Sequence, residues 1–158
     1  MTAKVKAGGI IRNEHLAKIG IMSAPDRPGL ASEILRVLAA VSVNTQFIVQ
    51  CADLQNNSHI VLCVGDEDSD AALAALEPIR GSVKPQDIVH RHNVAVVSVF
   101  GPDFREKPSV AASVFSAMAA AHINIMAIST SISTVSCLID GERVDDAVVG
   151  LREYFDLP

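Results

Sequence analysis

The sequence predicts an α+β fold built twice, as two βαββαβ domains in tandem within 158 residues. Three observations lead there. The first is an internal repeat: Ile19–Asp26 reads IGIMSAPD, and Val96–Asp103 reads VVSVFGPD 77 residues on. Pro28–Gln50 (PGLASEILRVLAAVSVNTQFIVQ) and Pro108–Thr130 (PSVAASVFSAMAAAHINIMAIST) then match at an offset of 80. The extra residues fall in one loop, where Phe104, Arg105, Glu106 and Lys107 replace Arg27 alone, and loops absorb insertions. The second observation is the same order of hydrophobic periods in both copies. The third is composition: 49% of residues are hydrophobic, with one Tyr, five Phe and no Trp. With a mean hydropathy of +0.33, that describes cores packed from Val, Ile, Leu and Ala rather than disorder.

Each copy opens on a short apolar run, Leu16–Ser23 or Val94–Gly101, that reads as a strand. A helix follows. Leu30, Ile34, Val37, Leu38 and Val41 form one apolar stripe, which Val110, Val114, Ala117, Met118 and Ala121 repeat. Pro28 and Pro108 sit where a first helical turn tolerates a missing N–H. Two β-rich runs come next, Asn44–Ala52 with Ser58–Val64, then Asn124–Thr130 with Thr134–Asp140. The polar loop 53–57 joins the first pair and the tighter Ser131–Ser133 the second. A second helix carries Leu73, Leu76 and Ile79 after Ser69, or Val144, Val148, Leu151 and Phe155 after Asp140. The alanine runs (Ala39–Ala40, Ala71–Ala72, Ala74–Ala75, Ala119–Ala121) are helical, chosen either for close approach to a neighbour or simply for helix propensity.

The first copy adds a strand near Gln86–Arg91, whereas the second ends one strand short. Val5–Ile11 is strand-like and belongs to neither copy, so it is expected to supply the missing strand and cover an open sheet edge. The expected domains are residues 13–92, and residues 1–12 together with 93–158.

Acids outnumber bases 18 to 13, for a formal net charge of −5. That balance excludes general nucleic-acid binding and anionic-membrane reading, since both need cations to neutralise phosphates. An RNA-reading βαββαβ domain would carry aromatic and basic residues on its central strands, and His122–Ser129 and Val135–Asp140 carry neither. A metal chaperone would need CxxC in the first loop, and Asp26–Gly29 has no cysteine. Cys51, Cys63 and Cys137 read as reduced thiols of a cytoplasmic protein. Met1–Gly9 lacks the apolar core of a signal peptide, and no run of about 20 apolar residues occurs, so no membrane partner is expected. His15, His59, His90, His92 and His122 are scattered without a nucleophile arrangement. His90 and His92 read as an exposed strand face rather than a metal pair, and Asp66-Glu67-Asp68 as a solvated loop. No cofactor or metal is expected.

The turn Asp26-Arg27-Pro28-Gly29-Leu30-Ala31 carries the chemistry. Gly29 allows close approach to the backbone, and the first helical N–H groups point unsatisfied into the loop. Those donors and the helix dipole suit a carboxylate, while Asp26 can accept from an ammonium or a hydroxyl. Together they would grip both ends of a free α-amino acid. The structural alternative is that Asp26 caps the helix and Gly29 only eases the turn.

The segments IGIMSAPDRPGLASEIL, NTQFIVQ and HINIMAISTS, so spaced, resemble the regulatory region of aspartate kinases, two ACT domains in tandem. The resemblance runs from about Gly8 to the closing YFDL. It implies the ferredoxin-like βαββαβ sandwich, with the N-terminal strand completing the second domain. It also implies feedback binding of threonine, lysine or both between ACT domains of two chains, hence a homodimer, and a kinase catalytic domain or subunit as partner. No catalytic residues are implied, because 158 residues hold no kinase domain. By motif, Asp26 would meet the ligand amine or hydroxyl and the backbones of Gly29 and Ala31 its carboxylate, with Pro28 and Leu30 of the same turn also in the site. Gln50 would contact its polar groups, and Asn124 and Ile125 of the facing domain would close the pocket. The other half would use Val110, Ala111 and Ser131.

Departures from the family pattern bear on the ligand. Gln46 stands where many relatives have Asp, and Ile132 and Thr134 stand where the pattern has Glu and a base. Burying a lysine ammonium without a carboxylate is costly, so threonine is favoured. Ser109 replaces the usual Gly and the GPDFREKP loop is unusual, which predicts a degenerate second turn and one type of functional site. The alternatives are an ACT-only scaffold that has lost ligand binding, or a stand-alone sensor for another enzyme.

Overall fold

The computed structural model describes residues 3–158. Met1 and Thr2, which the expected second domain includes, lie outside the described residues. In chain order the elements are β1 (Val5–Lys6), β2 (Gly9–Pro25), α1 (Leu30–Ala40), β3 (Phe47–Ala52) and β4 (Asn57–Gly65). Then come α2 (Ser69–Leu76), α3 (Arg80–Val83), β5 (Asp87–Phe100) and α4 (Ser109–Ala120). The last are β6 (Ala127–Thr130), β7 (Thr134–Asp140), α5 (Val144–Tyr154) and β8 (Phe155–Asp156). The chain divides into two compact units, one of residues 15–93 and one formed by 94–158 with the segment up to Glu14. The chain crosses between them at His15 and Asn93, whose φ values of 59° and 52° are left-handed.

In the unit of residues 15–93 the strand order is β3-β4-β2-β5. β4 pairs antiparallel with β2 and with β3, and its Ile60, Leu62 and Val64 face the core in alternation. Against them pack Leu30, Ile34 and Leu38 of α1, spaced four residues apart, with Ala72 and Leu76 of α2. Val41 does not join the expected stripe: it is the C-cap of α1, 47% exposed, because the chain turns back at Val43, whose N–H reaches the Leu38 carbonyl. A register shift between Ile21 and Ala24 bends β2 at Ser23, φ 52°.

In the other unit the order is β2-β5-β7-β6, with residues of β2 up to Glu14, and α4 and α5 pack over the sheet. Val97, Val99, Val114, Met118, Ile139 and Leu151 are core residues here. The N-terminal segment completes this unit. Val5 and Lys6 pair in parallel with Phe155 and Asp156, the Gly8 N–H reaches the Phe100 carbonyl at 2.7 Å, and Val5, Ala7 and Ile10 pack on the core. The expected single strand Val5–Ile11 is broken at Gly8. A Cβ on Gly9 would stand 2.9 Å from the Phe100 ring, so glycine is what lets the chain cross that ring. Phe155, expected on the helical stripe of α5, is buried instead in β8, since its extended backbone ends the helix.

Neither proline takes the first helical position. Pro28 precedes the N-cap Gly29, and Pro108 is itself the N-cap of α4. The expected strands Gln86–Arg91 and Val94–Gly101 form one strand, β5. The expected loop Asp66–Asp68 is a 3-10 turn leading into α2. No helix among the described residues is long and apolar enough to cross a membrane.

Candidate functional site

The turn from β2 into α1 is shaped by its backbone. Gly29, the N-cap, has φ 89°, a conformation that any side chain would strain. The Leu30 N–H donates to the Arg27 carbonyl at 3.3 Å, and the Glu33 N–H donates to the Gly29 carbonyl at 2.9 Å. Between them stand the N–H groups of Ala31 and Ser32, first-turn donors with no carbonyl four residues back inside the helix. They form the positive end of α1, suited to a carboxylate. Leu30 itself sends its side chain into the core. Arg27 and Glu33 pair across the turn, and the Glu33 carboxyl is held below its ordinary range by the Ser82 hydroxyl first and by Arg27 second.

Asp26 does not cap α1. The helix has no side-chain cap, and the Asp26 Oδ1 accepts instead from the Ser58 hydroxyl at 2.7 Å. Ser58 in turn accepts from the Gln50 Nε2 at 3.1 Å. Strand geometry brings these residues together. Ser58 continues the core-facing alternation of Ile60, Leu62 and Val64, and it is fully buried. Gln50 lies opposite Ile60, one diagonal step from Ser58 on the same face. Pro25 pairs with Asn57, and the Asp26 N–H donates to the Asn56 carbonyl at 2.9 Å. Residues separated by 24 and 32 positions thus meet beside the α1 N-terminus.

The hairpin behind them is tied by Asp53. Its Oδ1 accepts the N–H groups of Gln55 and Asn57 at 2.9 and 3.0 Å, and its Oδ2 meets the His59 Nε2 at 2.9 Å. His59 Nδ1 accepts the Ser23 N–H at 3.2 Å, so the ring proton sits on Nε2 and is donated to Asp53. The Asn57 N–H first, and His59 second, hold the Asp53 carboxyl below its ordinary range. Sequence reasoning missed Ser58, His59 and Asp53. The available signal was a serine at apolar parity in the strand NSHIVLCVG.

In the other unit, Lys107, Pro108, Val110, Ala111, Thr130 and Ser131 line a pocket of about 200 Å³ at the start of α4. Val110 is buried and donates its N–H to the Lys107 carbonyl at 3.2 Å. Ser131 shares a 2.6 Å hydrogen bond with Thr134. Asp103 is exposed at a left-handed φ of 63° and leads into a 3-10 turn over Phe104–Glu106. Asn124 is exposed and Ile125 half-buried in the stretch between α4 and β6. A larger groove of about 410 Å³ lies along α4 and α5. At its rim Arg143 pairs with Asp146 and donates to the carbonyls of Ala121 and His122. His90 and His92 meet edge to face at 5.8 Å, and His92 also pairs with Asp66. No group of three or more His, Cys, Asp or Glu among the described residues is placed to hold a metal ion.

Asp26, Ser58 and Gln50 thus stand in one hydrogen-bonded chain beside the first turn of α1. Residues 19–76 match a family model described as an ACT domain, and residues 97–155 match a second ACT-domain model. A chain in the crystal structure of aspartokinase alpha and beta subunits is 30% identical with a TM-score of 0.85, the match covering 94% of this chain and 97% of that one. The chain belongs to the aspartate kinase regulatory family, as two ACT domains in tandem. The regulatory subunit of aspartate kinase from Thermus thermophilus is similar too, at 27% identity and a TM-score of 0.86 over 95% of this chain and 99% of that one. Aspartate kinase of Stutzerimonas stutzeri is 34% identical over 149 residues, which are 94% of this chain but 36% of that protein. The chain therefore spans about a third of the length of the curated relatives it matches, and it holds ACT domains without a kinase domain. The Asp26–Ser58–Gln50 network lies in the first ACT domain, and the pocket at Val110, Ala111 and Ser131 lies in the second.

Proposed function

We propose that this chain senses a free amino acid and regulates an aspartate kinase catalytic domain or subunit in the cytoplasm. The observation that carries this reading is the Asp26–Ser58–Gln50 network beside the N-terminus of α1. Carboxylate and amide oxygens face an ammonium there, and the Ala31 and Ser32 N–H groups face a carboxylate. Threonine is the favoured ligand. A lysine side chain would bring a second ammonium, and neither Gln46, Ile132 nor Thr134 supplies a carboxylate for it. Binding would act through differential affinity for two states of the partner enzyme.

The site is completed by a second copy of the chain in a homodimer, whose Asn124 and Ile125 close the pocket. The exposure of Asn124 leaves it available for that role. The test is thermal melting with and without about 10 mM threonine, a hundred times a Kd of ~0.1 mM. Wild type should rise in Tm and Asp26→Ala should not, while both sediment as dimers. Dimers that no amino acid stabilises would favour a scaffold, and monomers at micromolar concentration would remove the inter-chain site.

A further inference from the structure

Ser58 is the buried polar group at the centre of the site, and its hydrogen-bonding capacity is fixed. A hydroxyl has one proton, and a carboxylate can only accept. The Ser58 proton is committed to Asp26 at 2.7 Å. Gln50 must then turn its NH₂ toward Ser58, as it does at 3.1 Å, because a flipped amide would set two acceptors against each other. What is left for a ligand is the amide oxygen of Gln50 and the second oxygen of Asp26. Both are acceptors.

We infer that Ser58 is the specificity-determining positioning residue of this site: by fixing the Gln50 amide it leaves two acceptors toward the ligand, which an ammonium with three protons satisfies together and a hydroxyl with one proton does not. The selectivity claim rests on the amino-acid reading above; the fixed amide does not. Without the Ser58 hydroxyl, the Gln50 amide can rotate and offer NH₂, and a ligand hydroxyl can then accept from Gln50 while it donates to Asp26. A glutamate at position 50 offers only oxygens whichever way it turns, and it makes Ser58 redundant for selectivity. A merely structural role for Ser58 would not depend on residue 50 in that way.

The experiment has two arms. In the ligand-free chain, side-chain amide NMR should show the Gln50 NH₂ protected from exchange in wild type and in Ser58→Thr, and freely exchanging in Ser58→Ala. Equal exchange in wild type and Ser58→Ala overturns the inference, whatever the chain binds. In the second arm, calorimetry compares threonine with 2,3-dihydroxybutyrate, in which a hydroxyl replaces the amine. Wild type should prefer threonine by at least about a hundredfold. Ser58→Ala should narrow the ratio by about tenfold, and Gln50→Glu with and without Ser58→Ala should show one ratio. An unchanged ratio in Ser58→Ala overturns the inference and leaves the amino-acid reading standing. A protected amide in a wild-type chain that binds no amino acid overturns that reading and the selectivity claim with it.

Discussion

The two ACT domains repeat one order of elements but differ in the hairpin that follows the first helix of each. In the first domain, β3 and β4 are joined by residues 53–56, tied by Asp53, and this length lets β4 begin with Ser58 buried beneath Asp26 and Gln50. In the second, β6 and β7 are joined by Ser131–Ser133. The pairing of Gln50 with Ile60 corresponds to that of Thr130 with Val135, so Ser133 stands where Ser58 would. Ser133 is exposed in the turn, and its carbonyl accepts from the Gly101 N–H at 3.0 Å. The inserted residues after Asp103 form a 3-10 turn there, in place of a direct entry to the helix. Sensing is therefore proposed for one domain. In the other, the same elements serve a core that also holds the N-terminal segment.

The largest effect that would sharpen this contrast comes from deleting residues 1–12. Val5, Ala7 and Ile10 leave the second core, and the parallel pairing with β8 is lost. A loss of about 3–5 kcal/mol is expected in that unit. Hydrogen exchange should show residues 94–158 deprotected while residues 15–93 keep their protection; equal protection in both would break the account of the shared strand. Next in size is Asp26→Ala against Asp103→Ala. The first should weaken threonine binding by about a hundredfold, the range of a lost charge-assisted hydrogen bond. The second should leave it unchanged, and equal losses would mean that both turns bind.

Smaller effects concern the hairpin and the thiols. The Asp53 carboxyl titrates lower in the folded chain than in the unfolded one, so its contribution to hairpin order is fully present above pH about 4. That contribution is lost as the pH falls through the folded value. Amide exchange at Gln55 and Asn57 should rise on acidification there, with no matching change at Ser133. Burial pushes the Cys63 and Cys137 thiols up to about 12, whereas Cys51 is exposed on β3. One thiol should react with a thiol reagent at pH 8 in the folded chain, and three in urea.

Most of the fold was legible because its signals are periodic. The stripe of Leu30, Ile34 and Leu38 and the alternation of β4 both follow from burial of one face. The boundaries were less so. Val41 and Phe155 are apolar at helical spacing, yet α1 closes in a local turn in which the Val43 N–H reaches the Leu38 carbonyl, and Phe155 is extended and pairs with Val5. The candidate site was half legible: the turn at Asp26 and Gly29 and the amide of Gln50 carry recognisable chemistry in sequence. Ser58 does not, since a serine's role depends on a partner 32 residues away and on a hairpin length that no local pattern states.

The proposed central role, an amino-acid site in the first ACT domain alone, is tested most directly by isothermal titration of the wild-type chain with threonine and, in parallel, with lysine. One threonine per chain with lysine at least about tenfold weaker is the result expected. Two threonines per chain, tight lysine binding without a threonine response, or no heat from any amino acid would contradict it.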